Sequence, residues 1–247
     1  GSIIWKQSID GKLMSEIFEL DLFKNNSRQF LFNTRDYLYL LDVEGKPVGN
    51  YPIRLPAPAT NGLAVLSFEN KKDPKIYIAC DNRRVYAYLP SGKPLPGWNF
   101  QQNTGTVTSP AQAVQLGGKY YLLIHDLQGG VSIVNKFGES GISLIHGFTV
   151  AQNSNFYKDP SGSLVTTDTS GNVVMVSGDG LVQIIPLNAA GSDHGFVYSD
   201  ADNDGDPDYI FLEGRELLAY DKSLTLIYRK EFETPLDGRL QLVELKD

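Results

Sequence analysis

A pattern returns every forty-odd residues along this chain of 247. The runs "YLYLLDVEG", "VYAYLPSG", "VSIVNKFG", "VVMVSGDG" and "LLAYDKSL" align on Asp42, Leu89, Asn135, Ser177 and Asp221, which stand 42 to 47 residues apart. Three positions after the anchors come Gly45, Gly92, Gly138 and Gly180, and only Leu224 breaks the column. A short hairpin closes through a residue of positive φ, which glycine adopts without a Cβ clash. The fourth and second residues before each anchor are apolar: Leu38 and Leu40, Val85 and Ala87, Val131 and Ile133, Val173 and Met175, Leu217 and Ala219. A period of two places one face of a strand in a core.

Three more strands surround each of these. A partner precedes it ("FLFN", "IYIAC", "YLLIH", "LVTTD", "YIFL"), and the connectors between the two are short and polar, such as "DNRR" and "DLQGG". A further strand precedes that pair ("SEIFELDL", "GLAVLSFE", "PAQAVQL", "QNSNFY", "HGFVYSD"), and another follows the turn ("GNYPIRL", "GWNFQ", "GISLIHGF", "LVQIIPL", "LIYRKEF"). Four antiparallel strands in each unit of about 45 residues is the pattern of a β-propeller blade. No stretch sustains a helical period, and a two-sheet sandwich would not account for the repeat. The expected fold is therefore all-β, one propeller domain or propeller segment over residues 1–247. Five full repeats are expected near 14–55, 62–100, 110–150, 151–187 and 194–232, with partial repeat strands at both ends. At those ends "IDGKL" (9–13) parallels "LDGRL" (236–240), and "IIWKQSI" matches "LIYRKEF". One blade made from both ends would hold only an inner and an outer strand, so a segment of a longer repeat protein is expected. The rival is a compact five-bladed ring with its ends packed elsewhere.

Composition narrows the partners. A net charge of -7 argues against a nucleic-acid groove, which needs a basic patch to displace counterions. The single cysteine, Cys80, excludes an internal disulfide and sits in the apolar run "IYIAC", where it reads as a small core residue. No run approaches the roughly 18 apolar residues of a membrane span, so no membrane insertion is expected.

One stretch has no counterpart: "DADNDGDPD", with Asp200, Asp202, Asp204, Asp206 and Asp208 at alternate positions. Calcium takes six to eight oxygen ligands in flexible geometry. Carboxylates at positions one, three, five and nine, with the Asp206 main-chain carbonyl at seven, supply most of such a set. Gly205 permits the sharp turn around one point. Two carboxylates about 4 Å apart repel by roughly 1–4 kcal/mol, so this density of charge makes sense mainly around a cation, the alternative being a solvated acidic turn with every carboxylate splayed into water. An EF-hand would carry a Glu at position twelve, where this chain has Phe211. "GFVYSDADNDGDPDYIFL" resembles instead the calcium loop of FG-GAP or VCBS repeats. "DVEGKPVGNYPI" and "PSGKPLPGWNF" are similar to strand-turn-strand units of FG-GAP and PQQ-like (quinoprotein-like) propellers. That resemblance implies Ca²⁺ held by the aspartate loop, in a bacterial protein outside the cytoplasm: periplasmic, outer-membrane-associated or secreted. The equivalent stretches "FENKKDPKIYI", "LFKNNSRQFLF", "QLGGKYYLL" and "YKDPSGSLV" lack the acidic ladder, so a single, structural ion is expected.

Catalytic patterns are weak. Trp5 and Trp98 lie on outer-strand segments, and one cysteine cannot form the vicinal disulfide of PQQ-dependent dehydrogenases. No unit holds the Asp-box turn of sialidases. Glu16, Asp126, Asp168 and Glu213 are the carboxylates a glycosidase could use, but nothing in the sequence pairs them. His125, His146 and His194 lack ligand spacing. No catalytic residue is expected. The expected function is recognition of a protein or glycan through loops at the propeller faces, the alternative being a carbohydrate-active lyase or glycosidase.

Overall fold

The structure, a computed structural model, describes residues 2–68, 73–100, 105–236 and 240. Every regular element among them is a strand. The first sheet runs β1 (Phe18–Leu20), β2 (Gln29–Asn33), β3 (Tyr37–Leu41), β4 (Ile53–Arg54), in that spatial order. The second contains β5 (Ala64–Leu66), β6 (Lys75–Ala79) and β7 (Val85–Tyr88). The third contains β8 (Gln112–Leu116), β9 (Lys119–His125), β10 (Val131–Val134) and β11 (Ser140–Ile142). After the two-residue β12 (Asn153–Ser154), the fourth is built from β13 (Tyr157–Lys158), β14 (Leu164–Thr167), β15 (Val173–Val176) and β16 (Val182–Ile185). The fifth joins β17 (Gly195–Ser199), β18 (Asp208–Glu213), β19 (Glu216–Tyr220) and β20 (Leu226–Glu231), with β12 parallel along its first edge. The pairing of each strand with the next in sequence is the meander read from the repeat.

The chain divides into two compact units. One comprises Gly1–Val114, Tyr120–Leu127 and Ser132–Gly141; the other comprises Gln115–Lys119, Gln128–Val131 and Ile142–Asp247. In the first unit, alternation along β6 fills two cores at once. Ile76 and Ile78 pack with Leu31, Leu38 and Leu40 of the first sheet. Tyr77 and Ala79, on the opposite face, pack with Leu122, Ile124 and Val134. Each fully buried side chain of this size contributes about 1.5–3 kcal/mol, and a sheet buried on both faces cannot shift register by one residue without exchanging its two sets of neighbours. In the second unit, Val165 and Val173 of the fourth sheet meet Phe196, Tyr198, Tyr209 and Phe211 of the fifth. Cys80 is fully buried, and burial pushes its thiol up to about 12, as suits a core residue.

The glycine column has a structural cause beyond the turn. Gly45, Gly92, Gly138 and Gly180 all have φ between +79° and +86°, and the amide of each donates to the anchor carbonyl three residues back. A Cβ on any of them would also strike another segment: the Trp5 ring at Gly45, the Ile53 side chain at Gly92, the Phe100 backbone at Gly138, the Ser143 carbonyl at Gly180. The turn at Leu224 keeps the same amide bond, to Asp221, and the same sign of φ, +65°. The sequence breaks there; the backbone does not.

Three expectations need correction or limits. "GWNFQ" forms no strand among its described residues, because the Trp98 indole donates to the Val85 carbonyl at 2.8 Å and the Asn99 amide turns to Phe137. "QNSNFY" is split: β12 joins the fifth sheet, and only Tyr157 continues into the fourth, where the tight Asp159–Ser163 turn keeps β13 to two residues. Residues 3–9 form no strand, although Trp5 covers Gly45. The stretch 237–239 of the terminal parallel, and with it the inner strand expected there, lies outside the described residues.

Candidate metal centre

The aspartate loop connects β17 to β18, whose last paired residues are Ser199 and Asp208. Asp200 opens it by accepting two main-chain amides, Asp204 N at 3.2 Å on Oδ1 and Gly205 N at 3.0 Å on Oδ2. Asp208 closes it: its Oδ2 accepts the Ala201 amide at 2.7 Å. Asn203 and Gly205 take left-handed conformations, φ +63° and +95°, which bend the chain around these two carboxylates.

Of the five expected ligands, Asp200, Asp202 and Asp208 converge, each offering one carboxylate oxygen within 4.8 Å of the others. Oxygens around a calcium ion at 2.3–2.6 Å lie up to about 5 Å apart, so the spacing suits a hard cation. Asp204 and Asp206 stand outside that group of three. The Asp204 carboxylate accepts the Asp206 amide at 2.8 Å, and the Asp206 carboxylate pairs with Lys222 Nζ at 2.9 Å. Asp208 is 1% exposed. Burial first, then the charges of Asp202, Asp204 and Asp200, push its carboxyl above the usual carboxylate range, against the pull of the Ala201 amide.

A twin of this loop occurs in the first sheet, where sequence comparison found no acidic ladder. Residues 21–29 connect β1 to β2, whose last pair is Leu20 with Gln29. Asp21 accepts Asn25 N and Asn26 N, both at 3.2 Å, as Asp200 accepts Asp204 N and Gly205 N. Gln29 Oε1 accepts Leu22 N at 2.8 Å, as Asp208 accepts Ala201 N, and Gln29 is likewise 1% exposed. Asn25 Oδ1 accepts Ser27 N, as Asp204 accepts Asp206 N. Lys24 and Asn26 carry the positive φ of Asn203 and Gly205. Phe23 stands in place of Asp202, and two cations, Lys24 and Arg28, accompany the single carboxylate Asp21. The signal in the sequence was an acceptor side chain nine residues into the loop, which an amide supplies as well as an acid.

Three of the four carboxylates a glycosidase could use fall into hydrogen-bonded roles. Asp126 accepts the Gly105 amide at 2.8 Å, Asp168 holds the amides of Ser170 and Asn172, and Glu213 accepts Gly191 N at 2.7 Å. Glu16 is exposed. His194 is fully buried, its ring bridging Thr167 Oγ1 at 2.7 Å and the Gly191 carbonyl at 2.5 Å, to which Nδ1 donates.

A chain of consecutive antiparallel sheets with a recurring outer turn belongs to the propeller-like all-β class. Solved structures of that class are similar to it along almost its whole length. The structure of BBS1N in complex with ARL6DN matches with a TM-score of 0.58 at 13% identity, over 94% of this chain and 74% of that one. The V. cholerae biofilm matrix protein Bap1 matches with 0.58 at 10% identity, over 92% of this chain and 42% of that one. Virginiamycin B lyase from Staphylococcus aureus matches with 0.52 at 13% identity, over 91% and 76%. No protein-family model and no curated protein sequence matches the chain. At these identities the likeness is one of fold.

Proposed function

We propose that the chain is a non-enzymatic β-propeller module, built from five blades of the FG-GAP/VCBS or PQQ-like type, that binds or scaffolds a partner outside the cytoplasm and holds one structural calcium ion in the loop 200–208. The observation that carries the calcium is the twin loop. The same backbone, with the same amide bonds, forms at 21–29 on one carboxylate. Loop geometry therefore does not require the four further acids at 202, 204, 206 and 208. Their mutual repulsion is compensated when a divalent cation sits among Asp200, Asp202 and Asp208, with Asp204 and the Asp206 carbonyl completing an oxygen set.

The binding role is supported by loops and turns carried on packed sheets, the second of them packed through both faces, an arrangement that keeps contact groups rigid. A propeller-like neighbour, BBS1N, is itself in complex with a protein, which favours a protein partner over a glycan. The carboxylates available for hydrolysis hold main-chain amides at Asp126, Asp168 and Glu213, which favours recognition over turnover. Thermal unfolding in EGTA and in millimolar calcium tests the calcium, and turnover assays on a polysaccharide panel test the rest. A site in the 10⁻⁴–10⁻³ M range filled at about 2 mM calcium adds roughly 1 kcal/mol, or a few degrees. An unmoved midpoint would remove the calcium; depolymerisation of any substrate would remove the non-enzymatic reading.

A further inference from the structure

We propose that Lys222 is a tethered cation that competes with the divalent ion for the loop 200–208 and holds its affinity in the weak range; this rests on the calcium reading above. Lys222 is not part of the loop. It lies in the outer turn after β19, where Asp221 accepts the amides of Thr225 and Leu224, and reaches back so that Nζ sits 2.9 Å from Asp206 Oδ1.

The twin loop gives the reason to assign it this role. There the positive charge is internal: Lys24 stands in the loop, and Arg28 also pairs with Glu19 at 2.7 Å. At 200–208 no position carries a cation, and the compensating charge arrives from the neighbouring hairpin. A side chain at 41% exposure in a surface ion pair contributes little to stability. Its effect on a divalent ion is larger, because charge-charge energy scales with the product of the charges and the loop lies within about a Debye length. The Asp206 carboxylate that Lys222 pairs with stands outside the group formed by Asp200, Asp202 and Asp208, so Lys222 acts on the ion through its charge and not by occupying a ligand.

The test is calcium titration calorimetry on the intact chain, at about 20 and about 200 mM salt, for the native protein, Lys222→Met, Lys222→Arg and Lys230→Met. Lys230 is exposed at the far end of the β19–β20 pairing, opposite Leu217, and controls for net charge. Lys222→Met is expected to bind calcium about three- to tenfold more tightly at low salt, with the gap narrowing at high salt. Lys222→Arg and Lys230→Met are expected to stay within about twofold of the native protein. Unchanged or weaker binding by Lys222→Met, beside measurable native binding, overturns the competition and leaves the calcium reading standing. Equal tightening by Lys230→Met overturns it as a generic charge effect. No heat from any of the four proteins overturns both.

Discussion

The Tyr198 hydroxyl donates to Asp159 Oδ2 at 2.6 Å, joining the β13–β14 turn of the fourth sheet to the first long strand of the fifth. Both residues are buried, and Tyr198 stacks on Tyr209 at 5.5 Å. Burial alone would raise the Asp159 carboxyl, but hydrogen bonds from Ser161 and Tyr198 outweigh it and hold the group below its usual range. Burial and the same hydrogen bond push the Tyr198 phenol upward. Tyr198→Phe removes one hydrogen bond from a buried carboxylate that keeps its bond from Ser161, and is expected to cost about 1.5–3 kcal/mol at neutral pH.

The pH dependence of that loss has a definite sign. A carboxyl depressed in the folded state stabilises it fully above the unfolded value, about 3.9, and this contribution disappears as pH falls through the folded value. The difference between native protein and Tyr198→Phe should therefore be largest near pH 7 and shrink below about pH 4. Denaturant unfolding at several pH values measures it. A difference independent of pH would mean that Tyr198 acts through packing alone.

The outer turns predict an asymmetry. Gly180→Ala places a methyl against the Ser143 carbonyl in a turn of φ +86°, and should cost more than about 2 kcal/mol. Leu224→Gly relieves a positive φ but removes a half-buried side chain from the core around Phe211, so a net change within about 1 kcal/mol is expected. Urea denaturation of the two variants checks both, and equal losses would contradict the account of the column.

The twin loops can be separated by calcium. Asp21→Ala and Asp200→Ala each release two main-chain amides; in EGTA Asp21→Ala should cost about 1–2 kcal/mol, and Asp200→Ala less, because it also relieves repulsion among the neighbouring aspartates. Only Asp200→Ala should lose further ground to the native protein when calcium is added. Melting curves of the two variants with and without the ion decide it.

Much of this was legible because the information was local. The alternation at Leu38 and Leu40 or at Val173 and Met175, and the glycine three residues past each anchor, fixed strands and turns without any knowledge of packing. What was not legible depended on partners distant in sequence. Nothing in "GWNFQ" says that the Trp98 indole will take the Val85 carbonyl a neighbouring strand would need. Nothing in "QNSNFY" says that Asn153 and Ser154 will pair with Gly195 and Phe196. The five aspartates announced a loop; that three converge while Asp206 turns to Lys222 follows from a hairpin more than ten residues on. Gln29 carries no charge signal, because its amide oxygen makes the same hydrogen bond as a carboxylate.

Calorimetric titration of calcium into the native protein and into Asp208→Asn, with folding of the variant verified in EGTA, tests the central claim most directly. The account predicts one site of about 10⁻⁴–10⁻³ M in the native protein, and its loss in Asp208→Asn with the strands intact. Absence of heat and of any thermal shift in the native protein at millimolar calcium, or equal binding by the variant, would contradict it.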